Sequence, residues 1–184
     1  MALLLLVVGY LLGSIPSAVL VARLYGVDIR TVGTGVAGAT NVKRHVGWPA
    51  AVIVGLVDLG KGAAAVLIAL AWHPSALVAV LAALAALVGH SWPVWTRMHG
   101  GFAAAAAVGA TAALLPLPTL LAAPFALAAI VIARRPAPAA TALFVGALVF
   151  GTILGAEPVR IGGIALAGLF VLVRAKTWPI PPER

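Results

Sequence analysis

The chain of 184 residues has no cysteine, and only four of its residues are acidic. Without thiols, disulfides and thiolate metal sites are excluded. Asp28 and Glu157 are isolated carboxylates, so paired-carboxylate chemistry has no basis here. Charged residues make up 9% of the chain, against roughly a quarter in an ordinary soluble domain, which excludes that class. No phosphate-binding Walker loop, dinucleotide fingerprint or serine-hydrolase elbow is found. His45 and His73 lack metal-ligand spacing. The first apolar run has no lysine or arginine before it and no small-residue cleavage site, so it reads as structure rather than a cleaved signal.

What fills the space is hydrocarbon. Hydrophobic residues account for 64% of the chain, enough for an all-α, polytopic integral membrane bundle forming a single domain over residues 1–184. Alanine and glycine dominate several apolar runs, which favours close helix–helix approach. The runs predict seven transmembrane helices, at residues 2–22, 48–72, 75–89, 102–115, 119–133, 139–155 and 161–173. Several fall short of the roughly 17–25 residues of a normal span, so they extend past the apolar run or cross only in part. Pro116 and Pro118 are read as a turn that divides 102–133 into a hairpin.

The net charge of +8 marks topology rather than a nucleic-acid-binding face. With seven spans and the N-terminus outside, one side receives Arg23, Arg30, Lys43, Arg44, Arg97, Arg134, Arg135, Arg174, Lys176 and Arg184. Arg160 falls opposite and Lys61 lies within the second span. Ten of twelve cations on one side is a positive-inside pattern, which makes that side and the C-terminus cytoplasmic.

The chemistry concentrates on that side. Residues 31–44, Thr-Val-Gly-Thr-Gly-Val-Ala-Gly-Ala-Thr-Asn-Val-Lys-Arg, form a loop rich in glycine, hydroxyls and cations. Gly33, Gly35 and Gly38 allow tight turns that bare backbone N–H groups, a geometry suited to phosphate oxygens. Thr34, Thr40 and Asn41 add donors, and Lys43 and Arg44 add positive charge. Asp58 and Lys61 are three residues apart on one helical face. They form either a neutralised ion pair or a site where Lys61 meets phosphate. In Gly89-His90-Ser91-Trp92-Pro93, His90 is either a general base or a positional residue. Gly100-Gly101, at the mouth of the next span, is expected to aim amides at an anion from a helix N-terminus. Ser14 and Pro16, late in the first span, read as a back-bond and a kink, or as the pocket roof.

In order along the chain stand Gly13-Ser14-Ile15-Pro16, Gly26-Val27-Asp28-Ile29-Arg30, Gly33-Thr34-Gly35 and Gly38-Ala39-Thr40-Asn41-Val42 with Arg44. Asp58-Leu59-Gly60-Lys61-Gly62, Gly89-His90 with Pro93, and Gly100-Gly101 follow. This series resembles the bacterial acyl-phosphate:glycerol-3-phosphate acyltransferases, the PlsY family, densely over residues 9–102. The resemblance implies a seven-helix enzyme of the bacterial inner membrane with a cytoplasmic active site. It would move a fatty acyl group from acyl phosphate to glycerol 3-phosphate, giving lysophosphatidic acid, without metal or cofactor. Its partners would be those two substrates and membrane lipid, not nucleic acid.

By the same resemblance, Thr34, Arg44 and His90 would be catalytic. Gly33, Gly35, Gly38, Thr40, Asn41, Lys61, Gly100 and Gly101 would bind substrate phosphate, and the substrate's own phosphate is a candidate base. The chain departs from the family pattern in four places. Thr34-Gly35-Val36 replaces Ser-Gly-Asn, and Gly100-Gly101-Phe102-Ala103 replaces Gly-Gly-Lys-Gly. Arg134-Arg135-Pro136-Ala137-Pro138 stands where the family has a serine-containing stretch. Residues 174–178, Arg-Ala-Lys-Thr-Trp, stand where its tail carries His, Asn and Glu. Arg97, Arg134, Arg135 and Lys176 could restore charge. The alternative is a non-catalytic paralogue that binds a lipid phosphate or a partner enzyme through the retained loop. A small transporter is disfavoured, since no inverted repeat is present.

Overall fold

The computed structural model describes residues 1–177, which fold as α-helices and their connections with no strand among them. Trp178 and Arg184 lie outside the described residues. In chain order the helices are α1 Ala2–Ser14, α2 Ser17–Leu24, α3 Ala39–His45, α4 Trp48–Trp72 and α5 Ala76–Ser91. They continue with α6 Ala104–Leu114, α7 Pro116–Ala133, α8 Pro136–Ile153 and α9 Pro158–Thr177. A single 3-10 turn, Val94–Thr96, follows α5.

By length and composition, six segments among the described residues can cross a membrane: Ala2–Leu24, Trp48–Trp72, Ala76–Thr96, Pro116–Ala133, Pro136–Ile153 and Pro158–Thr177. The expected fourth span is the shorter α6, whose 11 residues reach only roughly 16 Å at helical rise. That is about half a hydrocarbon core. The hairpin expected over residues 102–133 forms, but its prolines are not in the turn. Pro116 opens α7, because an N1 proline lacks only an N–H that would be unpaired anyway, and its φ already suits a helix. Likewise Arg174 and Lys176, expected in a tail, lie in the last turn of α9.

The first span is broken at Pro16. Proline has no N–H to close the helical bond and its ring clashes with the preceding turn, so α1 ends at Ser14 and α2 restarts at Ser17. The break turns the Ile15 carbonyl out of the helix and makes it available to other elements.

Small residues set how close the helices come. A methyl on Gly62 of α4 would collide with the Ala106 carbonyl of α6, and one on Gly109 of α6 would collide with that of Leu59. Without a hydrophobic drive between helices in lipid, such backbone approach supplies the packing energy. Two apolar clusters result. One runs through the bundle and includes Leu5, Val66, Leu87, Ala106, Leu114 and Ile164. The other joins α2, the 25–38 loop, α3 and the start of α4 through Ala22, Ile29, Val42, Ala50 and Val54. Ile29 and Val42 are fully buried there. The polar loop is therefore anchored by its own apolar residues to the end of the bundle.

Candidate active site

The site is built around the carboxylate of Asp58, buried in α4. Its Oδ1 accepts from Ser17 Oγ of α2 at 2.6 Å and pairs with Lys61 Nζ at 2.8 Å. Lys61 also donates to the Ile15 carbonyl, 3.0 Å away, which the Pro16 break exposed. Both members of the pair are nearly inaccessible, at 4% and 3% side-chain exposure for Lys61 and Asp58. Of the two readings open for this pair, the neutralised ion pair is the one formed. A buried charge is tolerated when it is paired and its remaining hydrogen-bonding capacity is met. Here a hydroxyl and a backbone carbonyl complete the shell.

His90, at the end of α5, stands on the same carboxylate, with Nδ1 3.7 Å from Asp58 Oδ1. Its other nitrogen lies under Gly101, where a methyl group would strike Nε2. The Gly101 N–H donates to the His90 carbonyl at 3.1 Å, and the Gly100 carbonyl accepts from the Ala37 N–H at 3.4 Å. These bonds tie the third motif to the glycine loop. They also correct an expectation. Gly100-Gly101 does not open a helix, since α6 begins at Ala104, and the Gly101 amide is used inside the protein rather than aimed at an anion.

The glycine loop is knotted by Asn41. Its Nδ2 donates to the carbonyls of Ile29, Val32 and Val36, at 3.0, 3.1 and 3.2 Å. Asn41 is 4% exposed, so it orders the loop instead of offering its amide to a ligand as expected. Two hydrogens already serve three acceptors. Gly33 (φ 56°) and Gly35 (φ 67°) take left-handed backbone, where a side chain would add strain. Val36, at the position of the family's asparagine, is buried. Its N–H donates to Thr34 Oγ1 at 3.4 Å.

Residues 39–45, read as loop from the sequence, form α3. Thr40 and Arg44 are exposed and one turn apart, so they share a face. Lys43 instead rests over the Trp48 ring at 4.6 Å. In the connecting loop, the Arg30 guanidinium grips Asp28 at 2.7 Å and holds its carboxyl down at about 2.

A small cleft opens at this end of the bundle, lined among others by Pro16, Ser17, Lys61, His90, His99 and Gly100. The structure thus brings Lys61, His90 and Gly100 together, with Gly101 against His90. Thr34, Thr40 and Arg44 stand outside the cleft lining, on the loop and α3. Three residues without an assigned role in the sequence reading belong to this region. Ser17 and His99 line the cleft. Arg174 returns on α9, its guanidinium donating to the Ser91 carbonyl at 3.4 Å and lying 4.9 Å from the Trp92 ring. No local signal marks them, because their partners lie 41 to 83 residues away in sequence or in a turn that spacing does not reveal.

Comparison with known proteins agrees over nearly the whole chain. The family model described as glycerol-3-phosphate acyltransferase matches residues 3–179. A glycerol-3-phosphate acyltransferase of Parasynechococcus marenigrum is 55% identical over 109 residues, which is 59% of this chain and 51% of that protein. The match therefore spans about half the length of that relative. One from Thermus thermophilus is 39% identical over 166 residues, 90% of this chain and 83% of the relative. The crystal structure of PlsY (YgiH), an integral membrane glycerol 3-phosphate acyltransferase in its glycerol 3-phosphate form, superposes with a TM-score of 0.87 at 32% identity. It covers 95% of this chain and 88% of its own. The lysophosphatidic acid form of the same protein gives 0.85 at 31%. With a fold that matches over 95% of its length and a family model spanning residues 3–179, the chain belongs to the glycerol-3-phosphate acyltransferase family.

Proposed function

We propose that the protein transfers a fatty acyl group from acyl phosphate to the hydroxyl of glycerol 3-phosphate at the cytoplasmic face of the bacterial inner membrane. The carrying observation is one small cleft lined by Ala37 of the glycine loop, by Gly100 and by Ser17, Lys61 and His90, the last three gathered on the buried Asp58 carboxylate. Support also comes from relatives named for this activity and from a neighbour captured with glycerol 3-phosphate and with lysophosphatidic acid. The positive-inside distribution supports a cytoplasmic cleft, with the N-terminus outside and the C-terminus inside. The non-catalytic alternative is less favoured, because the named relatives match on both halves of the chain.

The chemistry asks little of covalent catalysis. Acyl phosphate is a mixed anhydride whose leaving group departs as phosphate. The glycerol hydroxyl oxygen attacks the carbonyl carbon, the carbon–oxygen bond to phosphate breaks, and the hydroxyl proton is lost. The protein holds two phosphorylated substrates in line and offsets their charge. Arg44 and Thr40, on the exposed face of α3, take the glycerol 3-phosphate headgroup, while the apolar helices around the cleft take the acyl chain.

The test is purified protein with palmitoyl phosphate and labelled glycerol 3-phosphate, followed for lysophosphatidic acid. Product that requires both substrates is expected. Folded protein that binds glycerol 3-phosphate yet forms no product would refute transfer in favour of the binding module.

A further inference from the structure

The glycine loop and the end of α3 meet at one direct contact. Val32, Gly33, Thr34 and Gly35 form a turn, closed by the Gly35 N–H donating to the Val32 carbonyl at 3.1 Å. Gly33 stands in it with left-handed backbone, φ 56°, and lies against the imidazole of His45, the last residue of α3. A methyl group on Gly33 would strike His45 Cε1 and stand 3.0 Å from Nε2.

The ring is held in that place by α3 itself. His45 Nδ1 is 3.1 Å from the Asn41 carbonyl, which only accepts, so Nδ1 carries the proton and donates. Asn41 is one turn earlier on the same face, and its Nδ2 gathers the carbonyls of Ile29, Val32 and Val36. One face of α3 is thus the seat of the loop: Asn41 grips the backbone on either side of Gly33, and His45 bears on Gly33 itself. The chain neighbours of this contact are Thr34, which follows Gly33, and Arg44, which precedes His45. Both belong to the residues that the family resemblance makes catalytic. Glycine is the most permissive residue for the backbone, so without the ring the Gly33–Thr34 corner can shift while the Asn41 knot stays closed.

We infer that His45 is a positioning residue for the glycerol 3-phosphate headgroup, an inference that rests on the proposed reaction. Its ring fixes the spacing between Thr34 and Arg44, so that the hydroxyl and the guanidinium reach one phosphate together. The ring acts by its bulk on the loop backbone and does not itself touch substrate. Because His45 is exposed, truncating it takes little apolar area out of the core and leaves the bundle stable.

The experiment uses the full chain in detergent micelles with palmitoyl phosphate and glycerol 3-phosphate, each varied in turn. In H45A the KM for glycerol 3-phosphate should rise about tenfold or more, with the KM for palmitoyl phosphate and the Tm nearly unchanged. A merely structural role would reduce the amount of active protein and so lower kcat at constant KM. H45N keeps a donor for the Asn41 carbonyl but has no ring, and should match H45A. H45F keeps a ring against Gly33 but neither nitrogen, and should stay within about threefold of the wild-type KM. An unchanged KM in H45A or H45N overturns the assignment. So does an H45F variant as impaired as H45A, since a ring nitrogen rather than the ring's bulk would then be at work, as in a direct phosphate contact. Either result leaves the acyltransferase reading standing, whereas absence of product from the wild-type protein would remove both.

Discussion

Replacing Asn41 with aspartate should unfold the glycine loop more severely than replacing it with alanine, although aspartate is nearly the same shape. The Asn41 amide donates to three backbone carbonyls, of Ile29, Val32 and Val36, with two hydrogens. Two full bonds, at about 0.5–1.5 kcal/mol net each, give about 1–3 kcal/mol lost in N41A. Carbonyls stranded out of water add to this, so about 2–4 kcal/mol is expected. N41D removes the same donors and points an acceptor-only carboxylate at the same oxygens, for roughly a further 1–3 kcal/mol. At about 2–4 °C per kcal/mol for a chain of this size, N41A should lower Tm by roughly 5–15 °C and N41D by more. The assay is thermal unfolding of detergent-solubilised protein with no phosphate ligand present. Acidification should narrow the gap, because a protonated aspartate regains one donor. If both variants melt like the wild type in the absence of ligand and lose only glycerol 3-phosphate affinity, Asn41 is a ligand contact and the knot does not hold the loop.

Gly62→Ala should cost about 1–3 kcal/mol through overpacking, since the new methyl meets the Ala106 carbonyl, whereas Gly60→Ala, in open space, should leave Tm unchanged. Lys61→Met should cost about 3–5 kcal/mol by leaving the Asp58 carboxylate buried and unpaired. The double variant with Asp58→Leu should recover much of that in thermal unfolding while losing the cleft's polar floor. Arg44→Ala should reduce kcat/KM about ten- to a hundredfold with Tm unchanged, as expected for a charge-assisted phosphate contact. His90→Ala should lower Tm as well, and equal effects of the two variants on stability would misplace the site. The Asp28 carboxyl is lowered from 3.8 to about 2, chiefly by its hydrogen bond from Arg30. The stability this pair contributes is therefore complete above about pH 4 and lost as the pH falls through about 2. Wild type and Asp28→Asn should differ in Tm at neutral pH and converge at the acid end.

The sequence by itself determined the class of the molecule. A chain this poor in charge and rich in apolar runs has to satisfy its backbone within helices, because lipid offers no hydrogen bonds. The runs placed those helices to within a few residues, and the ordered motifs carried the family resemblance. It also marked candidate residues for the chemistry, since glycines, hydroxyls and cations are conspicuous against hydrocarbon. What it could not determine was which polar groups face a ligand and which face each other. Asn41 and the Gly101 amide were expected to meet phosphate, yet both are consumed by backbone partners. Local spacing does not report where a donor points. The Lys61–Ile15 bond depends on the Pro16 break lying beside α4, 46 residues on. Arg174 reaches Ser91 only because α9 packs against α5, which residue type does not show. Composition and periodicity are properties of neighbouring residues and so can be read along the chain. The assignment of each donor to a partner is a property of the packed bundle and was decided there.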